Sequence, residues 1–369
     1  MPPARDNLRG ANPESTRPAD VRLADANPES TTPADVQLPD ANPASATPAP
    51  ADPAAGPQHL VFSVEAGGLE VSLVDAQRQL VVHRFAPPRK LIGQPVFSPD
   101  ARHAYWASVD GWITSYDLRA RRVVAELRTG ERVSGLAVSG DGRLLLVANA
   151  EPRVLTLLDA ELRPQRSYPA PQTGADASAG APAVRDARGH KSFVVGFAGG
   201  MQLWELSYDP NAEPIFDGLV HDYRSGEGIA RPGYLGLRRT LLETPLDQLF
   251  LSPDDRHVLG LARGATGQLQ VVNLDVRRRI ATVQLPGLPN PGAATAWTAN
   301  GTSMLAIPDC SGAKASLLDP RGWKLAGSVD LPPPAVGSAP AYRVADLARG
   351  NGGALAAIGA QSCSKIRDE

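Results

Sequence analysis

The sequence predicts an all-β protein, a β-propeller of four-stranded blades. From His59 onward, short apolar runs such as HLVFSV, HAYWASV, RLLLVANA, KSFVVGF, QLQVVNL and SMLAIP are bounded by Gly, Pro, Asp and Asn, the pattern of strands and tight turns. Aspartates close such strands at fixed distances: Asp75, Asp117 and Asp159 at intervals of 42, then Asp275 and Asp319 at an interval of 44. A second landmark leads each unit, reading FSPDARH from Phe97, VSGDGRL from Val138, VRDARGH from Val184, LSPDDRH from Leu251 and WTANGTS from Trp297. A period near forty residues with four strands per unit is what a propeller blade requires, because each small sheet covers its apolar faces only by packing on its neighbours.

Taken in order, residues 1–57 are expected to be a disordered, proline-rich tail. ANPEST at 11 and 26 and ANPASA at 41 repeat with a period of 15, and such a segment buries too little apolar surface to offset its ordering entropy. The propeller then occupies 58–369, with blades at 59–90, 95–130, 133–170, 183–218, 245–287 and 293–332 and a partial seventh from Ala339. The first blade lacks an inner strand, and AYRVADLARGNGGALAAIGA supplies at most two, so the ring is expected to be incomplete at the C-terminus. The strand-closing aspartates read as structural, since Asp supplies local hydrogen bonds in the turn between third and fourth strands.

Composition removes several functions. Lys+Arg at 37 against Asp+Glu at 39 gives a net charge of −2 with no basic block, which argues against nucleic acid as a partner. Cys310 and Cys363 show neither C-x-x-C nor C-x-x-C-H spacing, which argues against covalent c-type haem and a Cys-rich zinc site, and leaves a disulfide between them open. No run approaches the roughly 18 apolar residues of a membrane span, and no secretory signal is visible at the N-terminus.

The regular beat is broken from Leu219 to Gln248. There, Gly226, Gly228, Gly233 and Gly236 permit close turns, and Arg224, Arg231, Arg238 and Arg239 are either anion-binding groups or ordinary surface cations. A loop of this length without structure of its own is usually functional or disordered, so it is expected to be either the working part or a lid over it. The stretch MQLWELSYDPNAEPIFDGLVHDYRSGEGIARPGYLGLRRT, with PLDQLFLSPDDRHVLGLA and QVVNLDVRRRIATVQLPGLPNPGAATAW, resembles the haem d1 propeller family, which includes cytochrome cd1 nitrite reductase and relatives in haem d1 handling and biosynthesis.

That resemblance implies an eight-bladed ring around haem d1, a periplasmic location, and a tetrapyrrole, a cytochrome or another protein as partner. It also implies site residues, several of which depart from the family pattern. Ile92 or Gly93 stands where the family has its iron-binding His, Val109 replaces an Arg that meets the macrocycle's carboxylates, and Asn290 replaces a distal His. His190 and Arg188 occupy the positions of a distal His pair. With His221, at the start of the insertion, they and Asn290 are the cofactor-binding candidates, and no catalytic or metal-ligating residue is assigned. His103 and His257 sit in equivalent blade turns and read as structural. The expected function is nitrite reduction or haem d1 handling in denitrification, the missing C-x-x-C-H arguing against a self-contained reductase. The alternatives are a degenerate propeller serving as an interaction scaffold, or a truncated product without activity.

Overall fold

The computed structural model describes residues 60–331 and 341–343, apart from 66, 79, 172–181, 198–199, 217–229, 263–265, 291–293, 300–301 and 311–312. The repeat tail, His221 and Arg224 lie outside the described residues. Within them, the chain folds as six four-stranded antiparallel sheets and one two-stranded ribbon. Strands alternate side chains between two faces, so a sheet standing between two neighbours must be apolar on both. Ser192–Phe197, buried at every position in the fourth sheet, is such a strand.

Each sheet packs on the next. Phe62 and Leu73 of the first sheet join Phe97, Trp106 and Tyr116 of the second, and Tyr105 and Ile113 of the second join Leu145 and Leu158 of the third. Leu155 and Leu157 meet Phe193 and Val195 of the fourth. Val194 and Leu203 then meet Leu246 and Val258 of the fifth, and Leu269 and Val271 meet Leu305 and Ile307 of the sixth. Large side chains buried in this way contribute roughly 1.5–3 kcal/mol each. This is the packing of a β-propeller; among the described residues no core cluster joins the sixth sheet to the first.

The C-terminal unit expected from Ala339 contributes one described strand, Ala341–Arg343, which pairs antiparallel with Leu60–Val64 through Phe62 and Tyr342. It is the inner strand that the first blade lacks in the sequence. The fourth unit is also longer than its period suggested. Its outer strand is Leu237–Leu241, paired with Gln202–Ser207, so the insertion falls between the third and fourth strands of that sheet instead of after it.

The strand-closing turns form as expected. Asp75, Asp117, Asp159 and Asp319 each accept backbone N–H bonds from the residues that follow, as from Arg119 and Ala120 at 2.8 Å to Asp117. In the fifth sheet the equivalent residue is Asn273, whose side chain accepts from the N–H of Val276 at 2.9 Å. Asp275, which the spacing selected, stands two residues later in the turn. Asn fills the role because its carbonyl offers the same acceptor at the same reach.

Candidate functional site

The turns joining first to second strands share one face of the molecule. Ser98 with Asp100, Ser139 with Asp141 and Ser252 with Asp254 form the same local motif, each serine hydroxyl bonded to the aspartate two residues on. A side chain at Gly142 would touch Pro99, one at Gly140 would run into Arg188, and one at Gly189 would meet Asp254 and Asp255. Arg188–His190, a single 3-10 turn between Pro182–Ala187 and Ser192–Phe197, therefore continues that row.

Asn290 lies in the connection entering the sixth sheet, at the opposite end of the strands. It is buried, and its N–H donates to the carbonyl of Pro308 at 2.7 Å. The structure thus brings Arg188 and His190 together and leaves Asn290 at the other face. His190 Nε2 is 3.4 Å from Asp275 Oδ1, and Arg256 Nε is 3.3 Å from the other oxygen of that carboxylate. Arg188 Nε is 3.6 Å from Asp186 Oδ2.

Asp186 is the most perturbed carboxylate beside these residues. Burial raises its pKa to about 6, opposed by a 2.7 Å hydrogen bond from the Tyr208 hydroxyl and by the Arg188 charge. The same hydroxyl accepts from the N–H of Gly140 at 3.0 Å, so one tyrosine ties the turns of the third and fourth sheets together. Asp255, also raised by burial, accepts from the N–H of Gly189 at 2.9 Å and ties in the fifth.

A second feature was not legible as a site. The inner strands read LIGQPVF, RVSGLAV, PAVRDA, LDQLFL, TAWTA and AYR, and none carries His, Cys or Met. Arg185, on the third of these and in the fourth sheet, is solvent-exposed, yet the surrounding protein desolvates its guanidinium and lowers its pKa. Arg185 stands on the first strand of its sheet, opposite Val194 of the second. Its Nη1 donates to the Val184 carbonyl at 2.9 Å, and it has no ion-pair partner among the described residues. A desolvated guanidinium without a counter-ion is a strong site for a carboxylate, which it meets with two parallel hydrogen bonds. Alternation along VRDA marks Arg185 as opposite to buried Val184, but nothing local says which neighbouring sheet each face meets.

Among the described residues, no three His, Cys, Asp or Glu side chains cluster in a way that would hold a metal ion, and no helix is long and apolar enough to cross a membrane.

Comparison with known proteins fits this geometry. Residues 55–218 match the family model of the cytochrome D1 heme domain. A dihydro-heme d1 dehydrogenase of Pseudomonas aeruginosa is 37% identical over 271 residues, covering 73% of this chain and 50% of that protein. The chain is related to the cytochrome d1 haem domain family. The protein NirF of the same organism is 27% identical over 247 residues, covering 64% of this chain and 57% of the relative. Among solved structures, the dihydro-heme d1 dehydrogenase NirN in complex with DHE superposes with a TM-score of 0.61 at 35% identity, over 74% of this chain and 54% of that one. The chain spans about half the length of these cytochrome d1-type relatives.

The residues present fit one part of a haem d1-type group and not another. Arg185 suits its peripheral carboxylates, whereas the inner strands offer its iron no imidazole. Sequence reading missed Arg185 because it sought the family's cation at Val109, in the second sheet. The arginine that could serve stands two sheets further along the ring.

Proposed function

We propose that the chain binds haem d1 or its dihydro form on the axial side of its inner strands and acts in haem d1 biosynthesis or handling within denitrification. The observation that carries this reading is Arg185, a desolvated cation without a carboxylate partner among the described residues, in a chain related to proteins named for that tetrapyrrole. Arg185 would hold a peripheral carboxylate and fix the macrocycle's orientation. Once bound, the group would supply a conjugated, redox-active ring. Any side chain meeting its metal would come from a connecting segment, with His221 the first candidate and Arg188, His190 and Asn290 the others.

A periplasmic location accompanies this reading. Cys310 is disulfide-bonded, and the chain has one other cysteine, Cys363; such bonds persist in oxidising compartments. The cytochrome or other protein that would exchange electrons or cofactor with the chain is part of the same proposal.

The test is a titration of the full chain with haem d1, followed by its visible absorption. Saturable binding is expected, with Arg185→Ala weakening it by about tenfold, the equivalent of 1.4 kcal/mol. Arg185→Lys should recover only part of that loss, because a point charge cannot make the paired hydrogen bonds of a guanidinium. An unshifted spectrum with the parent chain, or equal affinity in the Ala variant, would reject the assignment.

A further inference from the structure

Among the described residues, two sheet faces enter none of the core clusters. The first sheet turns Phe62, Val64, Val71 and Leu73 toward the second, and strand alternation puts Val61 and Val74 on its other face. Register lines up a cross-strand row there, Val61 opposite Val74 and Val74 opposite Val81. Val81 is 51% exposed, and the other two are half-buried. The sixth sheet turns Leu305, Ile307 and Leu318 toward the fifth. Its opposite face carries Met304, Ala306, Ala315 and Leu317, with Ala306 paired to Leu317. Ala306 and Ala315 are fully buried there, although no core cluster includes them.

One stretch of the chain is anchored at both sheets. Ala341–Arg343 pairs with Leu60–Val64 of the first, and Arg343 stands opposite Val61, at the start of the valine row. Cys310, in the turn between Thr302–Pro308 and Lys314–Asp319 of the sixth, is disulfide-bonded. The chain's other cysteine is Cys363, so an intrachain bond has one possible partner. Such a bond makes the sequence from Val344 to Cys363 leave the first sheet and arrive at the sixth. Within it, ALAAIGA from Ala354 to Ala360 has no polar side chain at any position, the pattern of a segment covered on both sides. The other connection between these sheets, LPPPAVGSAP from Leu331, is rich in proline, which lacks the N–H that a ladder needs.

We propose that residues 344–363 cover these two faces. Ala354–Ala360 lies against the valine row on one side and against Ala306 and Leu317 on the other, and a Cys310–Cys363 disulfide is the clasp that holds it there. The first and last sheets of a stacked array each have one apolar face without a repeat beside it, and such faces need a cover. Alanine and glycine suit the place, because small side chains let two packed faces approach a strand between them closely. The disulfide restricts how far the segment can depart from the faces, which favours the covered state. The inference does not depend on tetrapyrrole binding.

The test uses the full chain and mass spectrometry. A non-reduced tryptic digest should show fragments 280–314 and 350–365 joined, and tris(2-carboxyethyl)phosphine should separate them. In hydrogen–deuterium exchange of the parent chain, which needs no variant, amides of 354–360 should exchange at least about tenfold more slowly than in a free peptide of that sequence. Replacing both cysteines, Cys310→Ser with Cys363→Ser, should raise exchange about tenfold at Leu60–Val64 and Thr302–Pro308 and leave Ser192–Phe197 unchanged. Unprotected amides at 354–360 in the parent overturn the proposal. A rise spread evenly over all six sheets also overturns it, making the disulfide a staple of the whole fold. Cys310 joined to Cys310 of a second chain overturns it in favour of a second copy on these faces.

Discussion

The boundary between the second and third sheets and that between the fourth and fifth are built from the same parts and end differently. In the first, Leu162 drops from its turn into the neighbouring core and seals the outer edge, 3% exposed. In the second, the inner edge is packed just as tightly, since a side chain added at Gly196 would run into Leu249. At its outer edge the equivalent residue is Arg277, whose side chain is exposed, and the insertion lies between the third and fourth strands of the fourth sheet. Leu162, Arg277 and Trp323 hold the same place in their turns, each at positive φ. The difference shows that one repeat turn can either plug the neighbouring core or present its side chain to the surface. Which it becomes depends on the single side chain at the positive-φ position.

The largest test of that comparison is Trp323→Ala. Removing a buried indole from the plug position should cost about 3–5 kcal/mol in urea unfolding, through lost burial and the cavity left behind. Leu162→Ala should cost about 2–4 kcal/mol for the same reason. A cost near zero at both positions would show that the sheets seal without them.

Asp186 offers a test with a sign. Its folded pKa of about 6 lies above the ordinary carboxylate value of 3.8, so the folded state holds the extra proton between those limits. Stability from this group is therefore greatest below the unfolded value and is lost as pH rises toward about 6. Asp186→Asn should flatten that slope and raise stability at pH 7 by about 2–3 kcal/mol, the free-energy equivalent of the shift. Urea titrations at pH 4, 5, 6 and 7 read it directly, and an unchanged slope in the variant would remove Asp186 as its source.

Gly196→Ala should cost about 1–3 kcal/mol by forcing Leu249 away, a check that the inner edge of the fourth boundary is closed. The smallest effect belongs to Arg277→Asn. As an exposed side chain outside the core, it should change unfolding free energy by less than about 0.5 kcal/mol. A large loss there would make Arg277 a plug after all and erase the contrast.

Much of the fold could be read along the chain because its determinants are local. Asp117, Asp159 and Asp319 set their turns with hydrogen bonds to residues two to four positions on. Local rules also explain the substitution of Asn273 for the expected aspartate, an equivalence that spacing alone could not distinguish from Asp275. The site was less legible. Arg188 and His190 share one turn and were found together, but Asn290 proved to lie at the other end of the strands, and Arg185 carried no mark that set it apart from any exposed strand residue.

Sequence alone determined the four-stranded unit, its period, its capping turns and the insertion that interrupts it, since each depends on residues within one blade. Tertiary structure decided the rest: that Ala341–Arg343 completes the first sheet nearly three hundred residues away, and that the turns carrying Gly140, Arg188 and Asp255 meet in one row. Those relations depend on how one sheet stacks against another. Such stacking is set by the summed packing of many buried side chains, which no short window of sequence contains.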